Sequence, residues 1–332
     1  MIKFGVIGTN WITESFLKAA NEIQDFQLQA VYSRTEEKAR KFADQYGVST
    51  IFTDLEEMAM SSEVDAVYIA TPNSLHAEQA ILFLKNQKHV LCEKPIASNQ
   101  IEFKEMMRTA KDHKVLLMEA MKSTYMPIFK KVEEQIEKIG QVRKYFASYC
   151  QYSSRYDAYK NGQVLNAFDP AFSNGSLMDI GVYTIYPLVK LFGKPKEILA
   201  SCIKLETGVD GQGSIIMKYD DKEAVVFFSK IADSNLPAEI QGEKGSIIID
   251  RISSPQKAGI VFRGGESEDL TVLQEHDPMY YETKAFIELI KNGKTESDVN
   301  SFETSLAVLE IMDEARKQMG IVFPADQKAL NN

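Results

Sequence analysis

Cysteine is scarce in this chain. Cys92, Cys150 and Cys202 are widely separated and odd in number, which argues against a disulfide framework or a closely spaced zinc knuckle and fits a reducing cytoplasm. Histidine is limited to His76, His89, His113 and His276, with no His-Glu-x-x-His pair, so no metal site is expected. Positive charge is in deficit, 38 Lys and Arg against 47 Asp and Glu for a net charge of −9, which disfavours a nucleic-acid backbone as the main ligand. No uncharged stretch approaches the roughly 18 apolar residues of a membrane span. The apolar start runs into a glycine turn without a cleavage-like site, so neither an anchor nor a leader is expected. Phosphate-loop lysine motifs, a nucleophile elbow, internal repeats and low-complexity segments are also missing.

What is present suffices for two hydrophobic cores: 332 residues, 44% hydrophobic and 26% charged. Over the first 120 or so residues, apolar strand-like runs (2–7, 27–32, 65–70, 89–92, 115–118) alternate with segments of helical period (11–20, 36–46, 75–84, 101–113). Such alternation predicts an α/β, doubly wound parallel sheet of the Rossmann type. Past Pro127 the pattern changes. A helix to Lys138 and a strand-like run 142–152 lead into an irregular stretch to Asn174, and strand-like runs then follow between turn residues from 197 to 262. That spacing predicts an α+β second domain with a large, mostly antiparallel sheet. Helices are expected at 280–291 and 302–319, and the domains at 1–122 and 123–332. Gly242 to Gly245 reads as a hairpin turn rather than a second phosphate cradle.

Between the first strand and first helix stands Gly8-Thr9-Asn10-Trp11-Ile12-Thr13, a partial match to the Gly-x-Gly-x-x-Gly dinucleotide turn in which Asn10 and Thr13 replace the second and third glycines. Asn is the substitute best suited to a left-handed backbone, and its amide can donate to an oxygen. Where the second strand ends, an NAD-selective site places an acid for the ribose hydroxyls; this chain has Ser33-Arg34. A guanidinium fork and a hydroxyl suit a ribose phosphate, which favours NADP(H) over NAD(H).

Three further motifs, Ala70-Thr71-Pro72-Asn73-Ser74-Leu75-His76, Glu93-Lys94-Pro95 and Gly175-Ser176-Leu177-Met178-Asp179-Ile180-Gly181-Val182-Tyr183, together resemble the Gfo/Idh/MocA oxidoreductases, and the resemblance covers nearly the whole chain. Tyr183, where many members carry His, resembles the branch with glucose-fructose oxidoreductase, xylose 1-dehydrogenase and dimeric dihydrodiol dehydrogenase. The resemblance implies Lys94 beside the nicotinamide, with Tyr183 and Asp179 on the substrate side. It implies cofactor contacts from Gly8, Thr9, Asn10, Trp11, Ile12, Ser33, Arg34, Thr71, Pro72, Asn73, His76, Glu93 and Lys94. It also implies a homodimer or larger assembly through the second domain.

Oxidation of a secondary alcohol requires a base for the hydroxyl proton while hydride leaves the carbon. A free Tyr, with a pKa of about 10, is a poor base at neutral pH, but nearby positive charge favours tyrosinate. Asp179 and Tyr183 are four residues apart and share a helical face. Gly181 suggests a close approach to the backbone, and Pro187 removes the bond that the Tyr183 carbonyl would accept, so the helix should be perturbed there. Ser173 or Asn174 is the expected cap, with Gly193 and Pro195 ending the helix. Pro95 is a candidate for a cis bond.

Thr124 and Met126 stand where many relatives carry Arg and some carry His, so a relative's sugar does not transfer directly. Lys122, Arg155, Tyr156 and Asn166 are candidate substrate contacts in its place. The expected function is NADP-dependent hydride transfer between nicotinamide and a sugar, polyol or cyclic diol. A dihydrodiol or carbonyl-compound dehydrogenase is the alternative within the class, and a nucleotide-binding sensor or scaffold without turnover, toward which Asn10 leans, is the alternative outside it.

Overall fold

The structure, a computed structural model, describes residues 1–328 and divides into two compact units. The first comprises residues 1–121 and 276–302. Its strands β1 (Ile2–Ile7), β2 (Phe26–Tyr32), β3 (Thr50–Phe52), β4 (Ala66–Ile69), β5 (His89–Glu93) and β6 (Leu117–Ala120) form one sheet in the order β3-β2-β1-β4-β5-β6. Every pairing is parallel. The crossovers carry α1 (Trp11–Ala20), α2 (Glu36–Gln45), α3 (Leu55–Met60), α4 (His76–Lys85) and α5 (Gln100–His113). Helices on both faces bury the inner strands, which is why β4 reads as an unbroken apolar run rather than as an alternation. The strand order reverses between β1 and β4, and a doubly wound sheet opens a ligand crevice at such a point, beyond the strands' carboxyl ends.

The second unit comprises residues 122–275 and 303 onward. After α6 (Pro127–Gln135) come β7 (Val142–Cys150), α7 (Ser154–Lys160) and a helix that begins as a π-helical turn, Leu177–Gly181, and continues as α8 (Val182–Phe192). Strands β8 (Glu197–Lys204), β9 (Asp210–Lys218), β10 (Glu223–Ser229), β11 (Ala238–Gly242), β12 (Gly245–Ile249), β13 (Ala258–Phe262) and β14 (Ser267–Asp269) join β7 in an eight-stranded sheet ordered β14-β13-β12-β11-β7-β10-β9-β8. All neighbours are antiparallel except β7 and β10, which run parallel. Parallel partners need a long crossover, and the chain between them supplies one through α7 and α8. Residues 242–245 form the turn of the β11–β12 hairpin, as expected. One sheet face carries Tyr145, Ala147, Ala224, Val226, Phe228 and Ile240, all buried; the other exposes Leu199, Ile203, Ile216, Phe227, Ile248 and Val261.

The chain closes with α9 (Pro278–Lys291), α10 (Phe302–Met319) and α11 (Pro324–Lys328). The sequence places everything past residue 123 in one domain; in the structure Lys122 starts the second unit, and residues 276–302 belong to the first. There α9 packs on α1, and Phe286, fully buried, brings its ring within 5.9 Å of Phe4, which also meets Phe16 and Phe26. Segment α7 lies inside the stretch read as irregular, and β3 and β14, of three residues each, were not foreseen.

Candidate active site

In the first unit, the turn after β1 is built around Gly8. Its φ is +106°, and a Cβ there would stand 2.6 Å from the Ala70 carbonyl oxygen. Only glycine permits this approach of the β1 turn to the loop after β4. Asn10 is not left-handed as expected; its φ is −110°, an ordinary extended value. It caps α1 instead, its Oδ1 accepting from the Ile12 and Thr13 amides while its Nδ2 donates to Ala70 O at 2.8 Å. The Thr13 hydroxyl donates to Gly8 O at 2.9 Å. Asn10 is thus consumed by the protein's own backbone and does not fill the turn. Trp11 is 64% exposed beside it.

The Thr71-Pro72-Asn73 loop leads into a short 3₁₀ turn, Asn73–Leu75, with the Thr71 hydroxyl donating to Gln79 Oε1 at 2.7 Å. His76 is buried, with Nδ1 2.9 Å from Pro95 O and Nε2 2.9 Å from Thr71 O. Burial lowers its pKa. Both ring nitrogens face backbone carbonyls, so this side chain joins the two loops rather than reaching a ligand, against the expectation of a direct cofactor contact. At the end of β5, Glu93 is buried and accepts from the Tyr68 hydroxyl at 2.5 Å; just beyond it Lys94 is half-buried, and the Lys94–Pro95 peptide is cis. Tyr68, which the sequence did not single out, stacks on Phe16 of α1 with centroids 3.8 Å apart. Glu119 of β6 completes the arrangement by accepting from the Ile96 amide at 3.0 Å. At the end of β2, Ser33 is buried and its amide donates to Phe52 O at 3.2 Å. Arg34 is exposed, and its charge is felt by the Tyr32 hydroxyl. Motifs spread over ninety residues of sequence thus gather at the carboxyl ends of β1, β2, β4 and β5.

In the second unit, Asp179 lies within the π-helical turn and Tyr183 just after it. Pro187, inside α8, leads the sequence to expect a disturbance at Tyr183; the wide turn, Leu177–Gly181, lies just upstream of that residue. Such turns re-aim side chains and recur at functional sites. The helix is capped not by Ser173 or Asn174 but by Asp210 at the start of β9, whose Oδ2 accepts from the Leu177 amide at 2.6 Å. Asn174 accepts only from its neighbour, Gly175 N. Burial pushes the Asp210 carboxyl up to about 6, although the Leu177 amide and the charges of Lys230 and Arg316 pull it down. Gly181 is approached closely, as expected, but by the protein itself: a Cβ there would meet the Phe228 ring at 3.0 Å.

Tyr183 is 8% exposed, and the Tyr149 ring of β7 meets it edge-on at 5.8 Å. Asp179 is ion-paired to Lys230, which the sequence reading missed. Lys230 is 4% exposed, and its ammonium lies 5.6 Å above the Phe168 ring, itself packed against Tyr156 and Tyr159. A signal existed: inward positions of β10 fall at Ala224, Val226 and Phe228, and the same period of two puts Lys230 on the core side. Of the candidate substrate contacts, Lys122 and Tyr156 are half-buried and Arg155 and Asn166 are exposed; Thr124, where many relatives carry Arg, is buried. Among the described residues no group of His, Cys, Asp and Glu could hold a metal ion, and no helix is long and apolar enough to cross a membrane.

Comparison with known proteins bears on the family and the fold. A family model described as the oxidoreductase family with an NAD-binding Rossmann fold, Gfo/Idh/MocA, matches residues 2–121, and the model of that family's C-terminal domain matches residues 129–248. Scyllo-inositol 2-dehydrogenase (NADP(+)) of Bacillus subtilis is 56% identical over 98% of this chain and 100% of its own length. Trans-1,2-dihydrobenzene-1,2-diol dehydrogenase of Xenopus laevis is 30% identical, over 97% and 99%. Among solved structures, a 3-ketoreductase of Actinomadura kijaniata in complex with NADP superposes with a TM-score of 0.85 over 96% of this chain and 98% of that one, at 24% identity, which speaks to the fold.

Proposed function

This chain belongs to the Gfo/Idh/MocA oxidoreductase family, and from that premise we propose that it oxidises a ring hydroxyl of a cyclic polyol of the inositol class with NADP. It is an NADP-dependent enzyme that transfers hydride between nicotinamide and a sugar, polyol or cyclic diol. The observation that carries the choice of a polyol is the helix beginning at Leu177, where a carboxylate with a buried counter-ion stands four residues before a phenol. A carboxylate accepts hydrogen bonds from hydroxyls, and a polyol offers several.

The first unit fits the nucleotide. Gly8 lets the β1 turn close on the Ala70 carbonyl, where a Cβ would collide, and α1 presents its N-terminus beside that turn. Because Asn10 already holds the Ile12 and Thr13 amides, the amides of Thr9, Asn10 and Trp11 are the ones proposed to hold the pyrophosphate. Ser33 and Arg34 would take the ribose phosphate, with Thr71, Pro72, Asn73 and Glu93 shaping the loops next to it. When bound, the nicotinamide supplies the acceptor for the hydride. Lys94, Asp179 and Tyr183 are proposed as the catalytic residues. Asp179 accepts a substrate hydroxyl and Tyr183 takes the proton of the hydroxyl being oxidised, while Lys94, in the first unit, is proposed to meet the nicotinamide.

Fluorescence titration of the cofactor-free protein with NADPH and NADH tests the nucleotide half of this reading. NADPH should bind more tightly, and Arg34→Ala should lower its affinity about 10- to 100-fold, the worth of a charge-assisted hydrogen bond, with little change for NADH. Equal losses for both nucleotides would remove Arg34 from the phosphate site. Turnover of scyllo-inositol, xylose and a trans-dihydrodiol with NADP then ranks the substrates.

The protein is further proposed to work as a homodimer or larger assembly. Leu199, Ile203, Ile216, Phe227, Ile248 and Val261 are exposed on one face of the second sheet, with Leu199 directly opposite Ile216, more large apolar groups than one face of a solvated sheet needs. Light scattering at micromolar concentration should give at least twice the mass of one chain; a monomer there would sink the idea.

A further inference from the structure

A buried lysine is uncommon, and one whose ammonium meets a residue of the reaction centre calls for an explanation. Lys230 extends the inward register of β10, and its backbone is fixed on both sides: its amide donates to Gly211 O at 2.9 Å, and its carbonyl accepts from Ser153 N at 2.9 Å. The Ser229 hydroxyl accepts the Ile231 and Ala232 amides, closing the turn that follows. The side chain is pinned between the Asp179 carboxylate and the Phe168 ring. Its side chain is 5% exposed and that of Asp179 is 32% exposed, so the pair is buried at the lysine end and open at the carboxylate end.

We propose that Lys230 is a positioning residue that acts through Asp179 to set the proton affinity of Tyr183. The argument is electrostatic. Asp179 lies four residues before Tyr183 on one helix, and a lone carboxylate so close opposes formation of a second anion. The Lys230 ammonium cancels that charge, so that tyrosinate forms without like-charge repulsion, and it holds the carboxylate in one orientation for a substrate hydroxyl. Among the described residues of this unit, Tyr149 of β7 stands edge-on to Tyr183, and Asp210 of β9 feels the charges of both Lys230 and Arg316. Arg316 of α10 is in turn paired to Asp313 and Asp326. Signs therefore alternate from Arg316 through Asp210 and Lys230 to Asp179, and removal of Lys230 would leave two acids without the cation they share.

The inference rests on the reading of Tyr183 as the proton acceptor, so its test is made independent of turnover. Full-length protein labelled with ζ-¹³C tyrosine is titrated by NMR, the Tyr183 resonance being the one absent from Tyr183→Phe. In Lys230→Met the Tyr183 midpoint should rise by about one pH unit or more, the shift expected when a like charge loses its screen. In Asp179→Asn, where Lys230 is left without the carboxylate, it should fall. Lys230→Arg should keep the wild-type value, and the double variant should return toward it. An unmoved midpoint in Lys230→Met overturns the proposal, and if that variant does not fold, an unmoved or raised midpoint in Asp179→Asn does so alone. Turnover of scyllo-inositol by Tyr183→Phe separates the two ideas. Full activity there removes the proton-acceptor role and with it the functional meaning of Lys230, whereas an inactive Tyr183→Phe with unmoved midpoints in the other variants defeats the inference about Lys230 only.

Discussion

Tyr183→Phe is expected to lower kcat for polyol oxidation by about 10²- to 10⁴-fold, the range that a positioned general base contributes. The ring and its edge-to-face contact with Tyr149 persist in phenylalanine, so the helix should keep its packing and the loss should fall on chemistry. That loss corresponds to about 3–5 kcal/mol of transition-state stabilisation. NADPH affinity should not change, because the contacts proposed for the nucleotide all lie in the first unit and Tyr183 in the second. Steady-state rates across pH, together with a cofactor titration of the same variant, check both halves. Near-wild-type kcat would mean that another group takes the proton.

Gly8→Ala should be the most damaging single change in the first unit. At φ +106° an L-residue is strained by about 1–2 kcal/mol. The new Cβ, built 2.6 Å from Ala70 O and 3.0 Å from Ala70 C, faces backbone that no side-chain rotation can clear. Relief requires the β1 turn and the loop after β4 to separate, at about 1–3 kcal/mol more. It would also break the Asn10 bond to the same carbonyl. A lower urea midpoint at unchanged slope is expected, with NADPH affinity reduced at least about tenfold as the turn moves. Wild-type stability with wild-type affinity would show that the turn has slack the geometry does not reveal.

The parallel sheet is legible in the sequence because burial on both faces writes strands as continuous apolar runs, and helices between them carry a clear period. The hairpin strands of the second sheet and the ends of α9 and α10 are readable for the same reason. Segments of three residues such as β3 and β14 are too short to show any period, and α7, with no buried residue of its own, shows no apolar stripe. In the candidate site, Gly8 and Arg34 follow from residue chemistry in context, whereas Asp179 and Tyr183 follow from the resemblance to the family. Asn10 is a candidate for the right place with the wrong conformation, because a cap and a glycine substitute look alike in sequence. His76 shows the same limit: a motif histidine stands out, but which atoms its ring nitrogens meet depends on Pro95, nineteen residues away. Asp210 and Lys230 lie thirty and fifty residues from the helix they serve, so only the strand register hints at them.

The return of residues 276–302 to the first unit bears on how the protein is made. A ribosome that has delivered 121 residues has supplied every strand of the parallel sheet, yet Phe286, which covers Phe4 of the very first strand, is still unsynthesised. The nascent sheet therefore waits with an apolar face uncovered while most of the second unit is translated. Its own completion comes only at residue 302 of 332, so the oldest strand is among the last to be closed over.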